Sequence, residues 1–546
     1  MDTKAVIEKT QSMIDGLKAV CANYGLSNTG GEYKIVTEVF LYKYLNDKFL
    51  HEICSVRPEF SGNTEELLSA LSAEEYESLF FELPPGVARL SQKHFISYLY
   101  NHKNEADFAQ MFDATLEEIS SYDENLSVFS VRAGGGEAVK LFDPLSPYVL
   151  ETGKRDAFCR ALVDKLVEFS FEDTFAEGYD FFSVIFEYLI SDYNKDSGKY
   201  GEYYTPHSIA SIIAKILVPG EAKNVTIYDP SAGTGTLLLA LAHQVGVERC
   251  SIYSQDISQK SCEFLRLNMI LHNLVHSLDH VVNGDTLVSP QHHNPQKTRL
   301  AQFDYIVSNP PFNMDFSETR DELAGDAHKA RFFAGVPNIP KTKKTGMAVY
   351  LMFIQHILHS LKEKGKAAVV VPTGFLTAQS GIEKRIREYI VNHKMLAGVV
   401  SMPSNIFATT GTNVSVLFLD GGNSTGDAVL IDASKLGEKT KVNGLQRTLL
   451  SAEELDRIVS TFHQHENVEE FCQVVTFAEM AEKNCSFSAG QYFEVKIEYV
   501  ELTAEEFNEK ISSIQERLAG YFKEGEELSR EIQKQIAGLK YSVLEN

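Results

Sequence analysis

Between residues 225 and 420, short runs of consecutive apolar residues alternate with longer amphipathic stretches. The runs predict seven strands, and the amphipathic stretches predict helices between most of them. Strands that are apolar throughout are typical of a sheet covered by helices on both faces, so the pattern predicts an α/β fold with a doubly wound sheet. The predicted strands are 225–228, 251–255, 280–283, 305–308, 367–372, 398–401 and 415–419. The predicted helices are 235–245, 258–273, 348–363 and 381–392.

The chain before this region has a helical pattern. Residues 1 to about 150 favour helices, for example at 34–49, and a further helix is predicted at 158–169. A strongly apolar amphipathic stretch at 179–193 leads into the alternating region.

A chain of 546 residues exceeds the size at which one core keeps growing, so three domains are expected. We predict an all-helical N-terminal domain at 1–175, the α/β domain at 176–425 and a C-terminal region at 426–546. The loop Gly421-Gly422-Asn423-Ser424 is interpreted as leaving the α/β domain.

The C-terminal region ends in a predicted long helix at 503–543. It starts with a capping-box pattern from Thr503 to Glu506. Steps of four and three residues then separate Phe507, Ile511, Ile514, Leu518, Tyr521, Gly525, Leu528 and Ile532. So narrow a stripe predicts a seam that pairs with a partner helix. Packing against this chain's own core is the alternative.

Composition narrows the class of protein. The chain is 44% apolar and its N-terminus lacks the apolar region of a signal peptide, so a globular cytoplasmic protein is expected. No run approaches the roughly 18–20 apolar residues that span a bilayer, so no membrane partner is expected. The seven cysteines show no CxxC pairing, which predicts reduced thiols and no metal site.

The net charge of −24 is unevenly distributed. Residues 201–420 hold 20 Lys and Arg against 18 Asp and Glu, whereas the rest of the chain holds 31 against 57. A near-neutral segment between acidic flanks suggests that another chain neutralises the phosphates of a bound nucleic acid. Solubility alone is an equally good explanation of the acidic flanks.

A glycine-rich loop, Asp229-Pro230-Ser231-Ala232-Gly233-Thr234-Gly235, connects the first predicted strand to a helix. Glycines permit a tight turn and close approach of a ligand to the backbone. Asp256 ends the second strand, where an acid can bind ribose hydroxyls, and Asp285 follows the third. The loop lacks the GKS or GKT ending of a phosphate-binding P-loop, so ATP is not expected.

The tetrapeptide Asn309-Pro310-Pro311-Phe312 ends the fourth strand on the same edge of the sheet. The carbonyl groups of Asn309 and Pro310 suit the two N–H bonds of a planar amine, and Phe312 suits stacking on its ring. The prolines fix φ and hold the acceptors without further ordering cost. The alternative, a proline-rich turn with no chemistry, has a lower prior after a glycine loop of this kind.

Together these segments resemble the modification subunit of type I restriction–modification systems, an N6-adenine DNA methyltransferase of the gamma class. The resemblance is good over about 180–420 and weaker in the N-terminal part and at 485–492. It implies a Rossmann-like seven-stranded methyltransferase sheet. The matching segments are Gly201-Glu202-Tyr203-Tyr204-Thr205-Pro206, 229–235, Tyr253-Ser254-Gln255-Asp256, Gly284-Asp285-Thr286-Leu287 and 303–312.

The resemblance also implies a cofactor, site residues and partners. The cofactor is S-adenosylmethionine, and the catalytic residues are Asn309, Pro310, Pro311 and Phe312. The implied partners are duplex DNA with a flipped adenine, a specificity subunit bound to the C-terminal helix with two modification subunits per specificity subunit, and a restriction subunit. The residues expected to bind the cofactor are Glu202, Tyr203, Tyr204, Thr205, Asp229, Ser231, Gly233, Thr234, Gly235, Asp256, Asp285 and Asn309.

The sequence departs from the family near residue 347, where a Gly-Asn-Ala-Asp-like stretch is expected and Met347 and Val349 stand instead. The preceding loop, 314–345, is hypothesised to be a mobile lid that orders on DNA, with an ordinary solvated loop as the alternative. Its basic residues are Arg320, Lys329, Arg331, Lys341, Lys343 and Lys344.

Three other functions remain open from the sequence. A solitary gamma-class DNA methyltransferase would carry its own recognition surface. A protein glutamine N5-methyltransferase methylates a similar planar amide, although its members are compact. A non-catalytic scaffold with a degenerate site is disfavoured by the intact Asp229, Gly233, Gly235 and Asn309. His292 and His293 lie in a polar segment and are not interpreted as metal ligands.

Overall fold

The computed structural model describes residues 3–27, 29–129, 131–132, 138–175, 179–195, 205–407, 413–442, 445–493 and 503–538. The chain divides into two compact units, Met1–Phe493 and Glu494–Asn546. Within the described residues no helix is long and apolar enough to cross a membrane.

The N-terminal region is mainly helical, as predicted. Thr29 caps α2, where its side chain accepts a hydrogen bond from the Glu32 backbone N–H, and aromatic residues of that helix such as Phe40 and Phe49 are fully buried. The helices are α1 Thr3–Asn23, α2 Gly30–Val56, α3 Thr64–Ser69, α4 Ala73–Phe80, α5 Ile96–Asn101, α6 Phe108–Ser121, α7 Asp123–Phe129, α8 Arg155–Val167 and α9 Tyr179–Lys195.

The expectation of an all-helical N-terminal domain is wrong in one detail. Two short strands, β1 Val131–Arg132 and β2 Ala138–Val139, pair with each other, and β1 also pairs with a strand of the α/β region. Residues 133–137, which connect them, lie outside the described residues.

The α/β region follows the predicted alternation. Its strands are β3 Val225–Asp229, β4 Cys250–Asp256, β5 Val281–Asn283, β6 Phe303–Ser308, β7 Leu361–Pro372, β8 Leu396–Ser401, β9 Val414–Asp420, β10 Asp427–Asp432, β11 Glu438–Val442, β12 Leu445–Leu449 and β13 Cys472–Thr476. Its helices are α10 His207–Leu217, α11 Thr236–Val245, α12 Gln259–Leu271, α13 Arg320–Leu323, α14 Tyr350–Ser360, α15 Gly381–Asn392, α16 Ala452–Gln464 and α17 Phe477–Glu482.

All seven predicted strands form one sheet, in the order β5-β4-β3-β6-β7-β9-β8. Only β9 among these seven runs antiparallel to its neighbours. The α/β fold class is therefore confirmed, with β3 next to both β4 and β6 at the point where the strand order reverses.

The sheet is nevertheless larger than seven strands. β10 pairs parallel to β8, and β13 pairs antiparallel to β10. With β1 and β2, the described strands make an eleven-stranded sheet. Gly421–Ser424 does not leave the sheet, since it lies in the turn between β9 and β10. The sheet thus extends past residue 425, the expected end of the α/β domain.

The predicted helix 348–363 ends earlier than expected. Helix α14 stops at Ser360, because Leu361 begins β7 and pairs with Phe303 on β6. Three residues that the amphipathic pattern assigned to the helix therefore belong to the sheet.

Helices cover both faces of the sheet. Along β7, Val370 belongs to a core cluster shared with α10, α11, α12 and α16, whereas Val369 and Val371 belong to one shared with α14, α15 and α17. This alternation follows from the two-residue period of a strand. The first cluster continues without a break into the N-terminal helices.

The unit Glu494–Asn546 contains one described helix, α18 Ala504–Gly538. Its predicted capping box is present: the Glu506 carboxylate accepts from the Thr503 backbone N–H at 2.9 Å, and the Thr503 hydroxyl accepts from the Glu506 N–H at 3.3 Å. The apolar stripe of this helix is exposed, with Ile511 at 38% and Leu528 at 54%.

The close approach of β8 to β10 can be tested by a substitution at Gly398. A Cβ added at Gly398 would clash with the Val429 carbonyl oxygen on β10 and would lie 2.6 Å from the Phe462 ring on α16. We expect Gly398→Ala to lower the free energy of unfolding by about 1–3 kcal/mol, because overpacking forces the strands apart. Urea unfolding followed by circular dichroism measures this change. Gly220→Ala is the matched control, since a Cβ added at Gly220 would have no atom within 4 Å, and equal losses for both variants would contradict the close packing.

Candidate active site at the carboxyl edge of the sheet

The parallel strands β3, β4, β5 and β6 bring their carboxyl ends to one edge of the sheet. Three of the predicted site residues lie at these ends: Asp229 and Asp256 are the last residues of β3 and β4, and Asn309 follows β6. Open α/β sheets bind ligands at this edge, where the strand order reverses.

The glycine-rich loop turns sharply between β3 and α11. Gly233 has φ 53° and Gly235 has φ 87°, both in the left-handed region that favours glycine. A Cβ at Gly235 would clash with Leu265 Cδ1 on α12, so the loop lies directly against that helix. Asn268 on α12 donates a hydrogen bond to the Thr234 carbonyl at 3.0 Å and fixes the loop from the same side.

Asp256 holds the glycine-rich loop through its carboxylate. One oxygen accepts from the Gly233 N–H at 2.8 Å, and the other accepts from the Ser258 N–H at 2.8 Å. Burial raises the pKa of this carboxyl, although the two backbone hydrogen bonds oppose the shift. Each carboxylate oxygen can accept a second hydrogen bond. Binding of ribose hydroxyls therefore stays a prediction that the geometry permits.

Asp229 is buried beneath the same loop, with 2% of its surface exposed. Its carboxylate accepts a hydrogen bond from the Ser231 N–H at 2.9 Å. Burial raises the pKa of Asp229 to about 8, and the charge of nearby Asp256 acts in the same direction. The geometry assigns Asp229 to the support of the loop, and its contact with a cofactor remains a prediction.

The segment after β5 is joined to the loop as well. The Thr286 hydroxyl donates to the Pro230 carbonyl at 2.7 Å. One carboxylate oxygen of Asp285 accepts from the Leu287 and Val288 N–H groups at 2.8 and 3.2 Å. Asp285 is partly exposed at the edge, and its other oxygen makes no hydrogen bond within the described part of the chain.

Asn309 is oriented by a side chain that the sequence assigned to the cofactor. Its Nδ2 donates to the Thr205 hydroxyl at 3.0 Å, so its carbonyl oxygen is left as an acceptor. Thr205 is 5% exposed and immediately precedes Pro206 at the start of α10. Thr205 therefore orients the Asn309 amide in this arrangement.

A pair of hydroxyl groups connects the glycine-rich loop to β6. Ser231 Oγ and Ser308 Oγ are 2.7 Å apart, and Ser308 directly precedes Asn309. Ser308 is fully buried, whereas Ser231 is partly exposed. The loop and the tetrapeptide are thus held in one fixed relation.

Phe312 lies three residues after Asn309 and packs against Tyr350. It is half-buried, and its ring centroid is 6.2 Å from that of Tyr350 at an angle of 75°. Pro310 is buried and Pro311 is partly exposed. Glu202, Tyr203 and Tyr204 lie outside the described residues, so their placement in the site stays a prediction.

Ile257 is a candidate site residue that the sequence analysis missed. It directly follows Asp256, and it is 62% exposed at the carboxyl edge of the sheet. A large exposed aliphatic group here suits the face of a flat ring. An apolar residue immediately after an acid at a strand end is the signal that points to it.

The residues that depart from the family pattern have a packing role. Met347 and Val349 are 1% and 0% exposed and form a small apolar cluster with Leu287, Phe316 and Phe332. The apolar side chains that replace the expected polar residues at these two positions therefore pack against apolar neighbours.

The same cluster holds the loop 314–345 against the site. Arg331 is 4% exposed and donates to the Leu287 carbonyl at 2.5 Å, so it is not a surface cation. Lys341, Lys343 and Lys344 are exposed. A mobile lid stays a prediction, restricted by this packing to the exposed lysine-bearing end.

The histidines of the site region are structural. His292 stacks edge-on against Tyr228 and Tyr253, and its Nε2 lies 3.0 Å from the Ser254 carbonyl oxygen. Burial lowers its pKa to about 4. Within the described part of the chain, no group of three or more His, Cys, Asp or Glu side chains is arranged to hold a metal ion.

Comparison with known proteins identifies the family. Residues 177–499 match the family model described as N-6 DNA Methylase. The chain belongs to this family. The predicted enzyme class, a DNA methyltransferase, is thereby confirmed, and the match extends past residue 425 to include β10 and β13 of the sheet.

Relatives of this N-6 DNA methylase are type I methylase subunits, which confirms the resemblance seen in the sequence. The MpnII methylase subunit of Mycoplasma pneumoniae is 29% identical over 343 residues, which cover 61% of this chain and 61% of that protein. The HindI methylase subunit of Haemophilus influenzae is 28% identical over 377 residues, covering 66% of this chain and 79% of that protein. The match with the Mycoplasma protein thus spans about three-fifths of its length.

Two solved structures share the fold. The type I methyltransferase subunit from Streptococcus thermophilus has a TM-score of 0.70 at 21% identity, covering 90% of this chain and 100% of that chain. A modification subunit of a putative type I restriction enzyme from Vibrio vulnificus has a TM-score of 0.51 at 18% identity, covering 87% and 93%. Both comparisons support the architecture described above.

The raised pKa of Asp229 predicts a pH-dependent stability. The folded carboxyl keeps its proton up to about pH 8, whereas an unfolded aspartate loses it near pH 4, so stability falls as the pH rises through this window. Asp229→Asn keeps the acceptor for the Ser231 N–H but has no charge to bury. Between pH 5 and pH 8, the free energy of unfolding of the wild type should therefore fall relative to that of the variant. We expect this difference to change by about 2–4 kcal/mol over the range, measured by urea unfolding.

The control is Asp326→Asn, whose wild-type carboxylate side chain is 90% exposed. It should follow the pH dependence of the wild type. A parallel response of Asp229→Asn and wild type over the same range would contradict a protonated Asp229.

Proposed function

We propose that this chain transfers a methyl group from S-adenosylmethionine to N6 of an adenine in duplex DNA, as the modification subunit of a type I restriction–modification complex. The observation that carries the proposal is the pair of contacts around the tetrapeptide. Thr205 orients the Asn309 amide at 3.0 Å, and Ser231 joins the cofactor loop to Ser308 at 2.7 Å.

The residues at the carboxyl edge fit the cofactor. The left-handed turn at Gly233 and Gly235 leaves room for close approach to backbone. Asp256 has acceptor capacity for ribose hydroxyls, exposed Ile257 suits an adenine face, and partly exposed Asp285 suits an adenine amine. Bound there, the cofactor would supply an electrophilic methyl group, and no metal is required.

The catalytic side chains act on the acceptor amine. Its lone pair is delocalised into the adenine ring, which makes it a poor nucleophile. The Asn309 side-chain carbonyl and the Pro310 backbone carbonyl would accept its two N–H bonds and favour sp³ geometry at nitrogen. The Phe312 ring would stack on the base and hold it in line for transfer.

A paired adenine cannot enter this edge from within a stacked duplex. The base must rotate out of the helix to reach Asn309, as enzymes that modify bases in duplex DNA require. The rotation costs a few kcal/mol, which stacking on Phe312 and hydrogen bonds to Asn309 would offset.

A specificity subunit is the proposed partner of α18, with two copies of this chain per specificity subunit and a restriction subunit in the full complex. The relatives are named as methylase subunits of type I enzymes. The exposed stripe of α18 has the spacing of a coiled-coil seam. The acidic balance outside residues 201–420 leaves phosphate neutralisation to another chain.

The role of Thr205 gives the first functional prediction. Thr205→Val removes the hydroxyl that accepts from Asn309 but preserves the side-chain shape, so the amide loses its orientation. We expect kcat for methyl transfer from labelled S-adenosylmethionine to fall about tenfold, with cofactor affinity unchanged. Thr205→Ser, which keeps the hydroxyl, should retain activity. Loss of cofactor affinity in Thr205→Val would instead assign this residue to the cofactor pocket, as the sequence predicted.

Asn309→Ala tests the mechanism directly. It removes the side-chain acceptor, and we expect methyl transfer to fall by at least about a hundredfold. Calorimetry with S-adenosylmethionine measures any loss of cofactor affinity separately, because Asn309 is also among the residues expected to bind the cofactor. Activity that survived this substitution would rule out the proposed role of Asn309.

The partner helix makes a separate prediction. Leu518→Asp places a charge in the seam of α18, and we expect it to abolish co-purification with a co-expressed specificity chain. Ser512→Asp lies on the opposite side of the helix and is the matched control. Full sequence-specific methylation by the isolated chain would favour a solitary methyltransferase over a subunit.

A further inference from the structure

The segment 485–492 has no role in the function described so far, although its sequence weakly resembles the family. It follows α17 and packs against the core on the face of the sheet that contains α14 and α15. Ser486 and Phe487 are both 0% exposed, so the segment is part of the interior.

Arg387 on α15 ties this segment to the loop after β7. It is fully buried, and its Nε donates to the Cys485 carbonyl at 2.8 Å. Its two terminal nitrogens donate to the Phe375 carbonyl at 2.5 Å and to the Ala378 carbonyl. Within the described residues Arg387 makes no ion pair. Its charge is stabilised by these three carbonyl groups and by the rings of Phe375 and Phe487, whose centroids lie 5.8 and 6.0 Å from its guanidinium carbon. A buried charge is costly without such partners, and the three carbonyls are therefore held in place together.

Aromatic rings continue this connection towards the site. Phe487 lies 6.4 Å from Phe375, and Phe375 lies 6.2 Å from Tyr350. Tyr350 in turn lies 6.2 Å from Phe312. The interplanar angles are 67°, 85° and 75°, so each pair meets edge to face, the arrangement that aromatic rings prefer.

The three rings behind Phe312 are buried and closely packed. Phe487, Phe375 and Tyr350 are 0%, 1% and 6% exposed, and the Phe487 N–H donates to the Leu376 carbonyl at 3.0 Å. Close-packed interiors transmit displacement because they contain few voids. The partly exposed Phe312 ring is therefore held from behind by a buried row of rings.

We propose that Phe487, fixed by Arg387, is a positioning residue for the target-base ring Phe312 and acts through Phe375 and Tyr350. The proposal rests on the proposed function, because it assigns Phe312 to stacking on the flipped adenine. Segment 485–492 thus completes the base pocket although it does not line it. A small displacement of Phe312 would misalign the amine, and misplacement of about 1 Å costs up to roughly a hundredfold in rate.

The test compares two buried phenylalanines in the full chain, purified with its specificity partner. Phe487→Leu and Phe471→Leu each remove a ring and keep apolar volume. Phe471 is the matched control because it is 4% exposed and stacks with Arg457 at 4.1 Å, as Phe487 does with Arg387 at 6.0 Å. We expect Phe487→Leu to lower kcat about tenfold with unchanged KM for S-adenosylmethionine, and Phe471→Leu to match the wild type.

Tyr350 provides a rescue experiment on the same row of rings. Tyr350→Leu should lower kcat as Phe487→Leu does. Tyr350→Phe keeps the ring and should have the kcat of the wild type. Equal loss in both Tyr350 variants would contradict a role for the ring itself.

A second measurement does not depend on activity. The chain contains no tryptophan, so Phe312→Trp introduces a single fluorescent reporter at the base pocket. In this background Phe487→Leu should shift the tryptophan emission and increase its quenching by acrylamide, whereas Phe471→Leu should leave both unchanged.

The outcomes separate the two proposals. An inactive wild-type complex would count against the proposed function, while the tryptophan signal would still decide whether Phe487 sets the position of residue 312. Unchanged emission and unchanged kcat in Phe487→Leu would overturn the inference. So would equal losses in the Phe487 and Phe471 variants, because such losses would indicate only general destabilisation.

Discussion

The 2.7 Å contact between the Ser231 and Ser308 hydroxyls is the interaction on which the site depends. Methyl transfer requires donor and acceptor in line at contact distance. In the function proposed above, the glycine-rich loop binds the donor and the tetrapeptide binds the acceptor, so the two segments must keep a fixed relation. Parallel pairing of β3 with β6 brings both to one edge, and the partly buried hydroxyl pair joins them there. Asp256 and Thr286 hold the other side of the same loop.

Several polar residues at the carboxyl edge of the sheet make hydrogen bonds within the protein itself. Asp229 and Asp256 accept hydrogen bonds from backbone N–H groups of the loop or its flanks, and Thr205 accepts from Asn309. Such bonds pre-organise the site, since a side chain that is already held loses little entropy when a substrate arrives. The cost is the burial of two carboxyl groups, visible in their raised pKa values.

The C-terminal part of the first unit is integral to the catalytic fold. β10 and β13 extend the sheet, and Arg387 binds the Cys485 carbonyl in the interior. The helix α18 differs, because its apolar stripe is exposed along its length. The heptad-like spacing of this stripe suits a subunit that pairs with a helix of another chain, as proposed above.

The sequence by itself determined the seven central strands, most helix bounds and the motifs at the strand ends, because periodicity and turn chemistry are local properties. Tertiary structure decided the contacts between distant residues. Asn309 and Thr205 are 104 residues apart, and Arg387 and Cys485 are 98 apart, so no local pattern signals either pair. The short apolar run that forms β10 follows a glycine-containing turn, and the sequence analysis placed it beyond the sheet. Only its pairing with β8 shows that it belongs to the sheet. Tertiary packing also explains Met347 and Val349, which belong to a buried apolar cluster. From the sequence they were recognisable only as a difference from the family pattern.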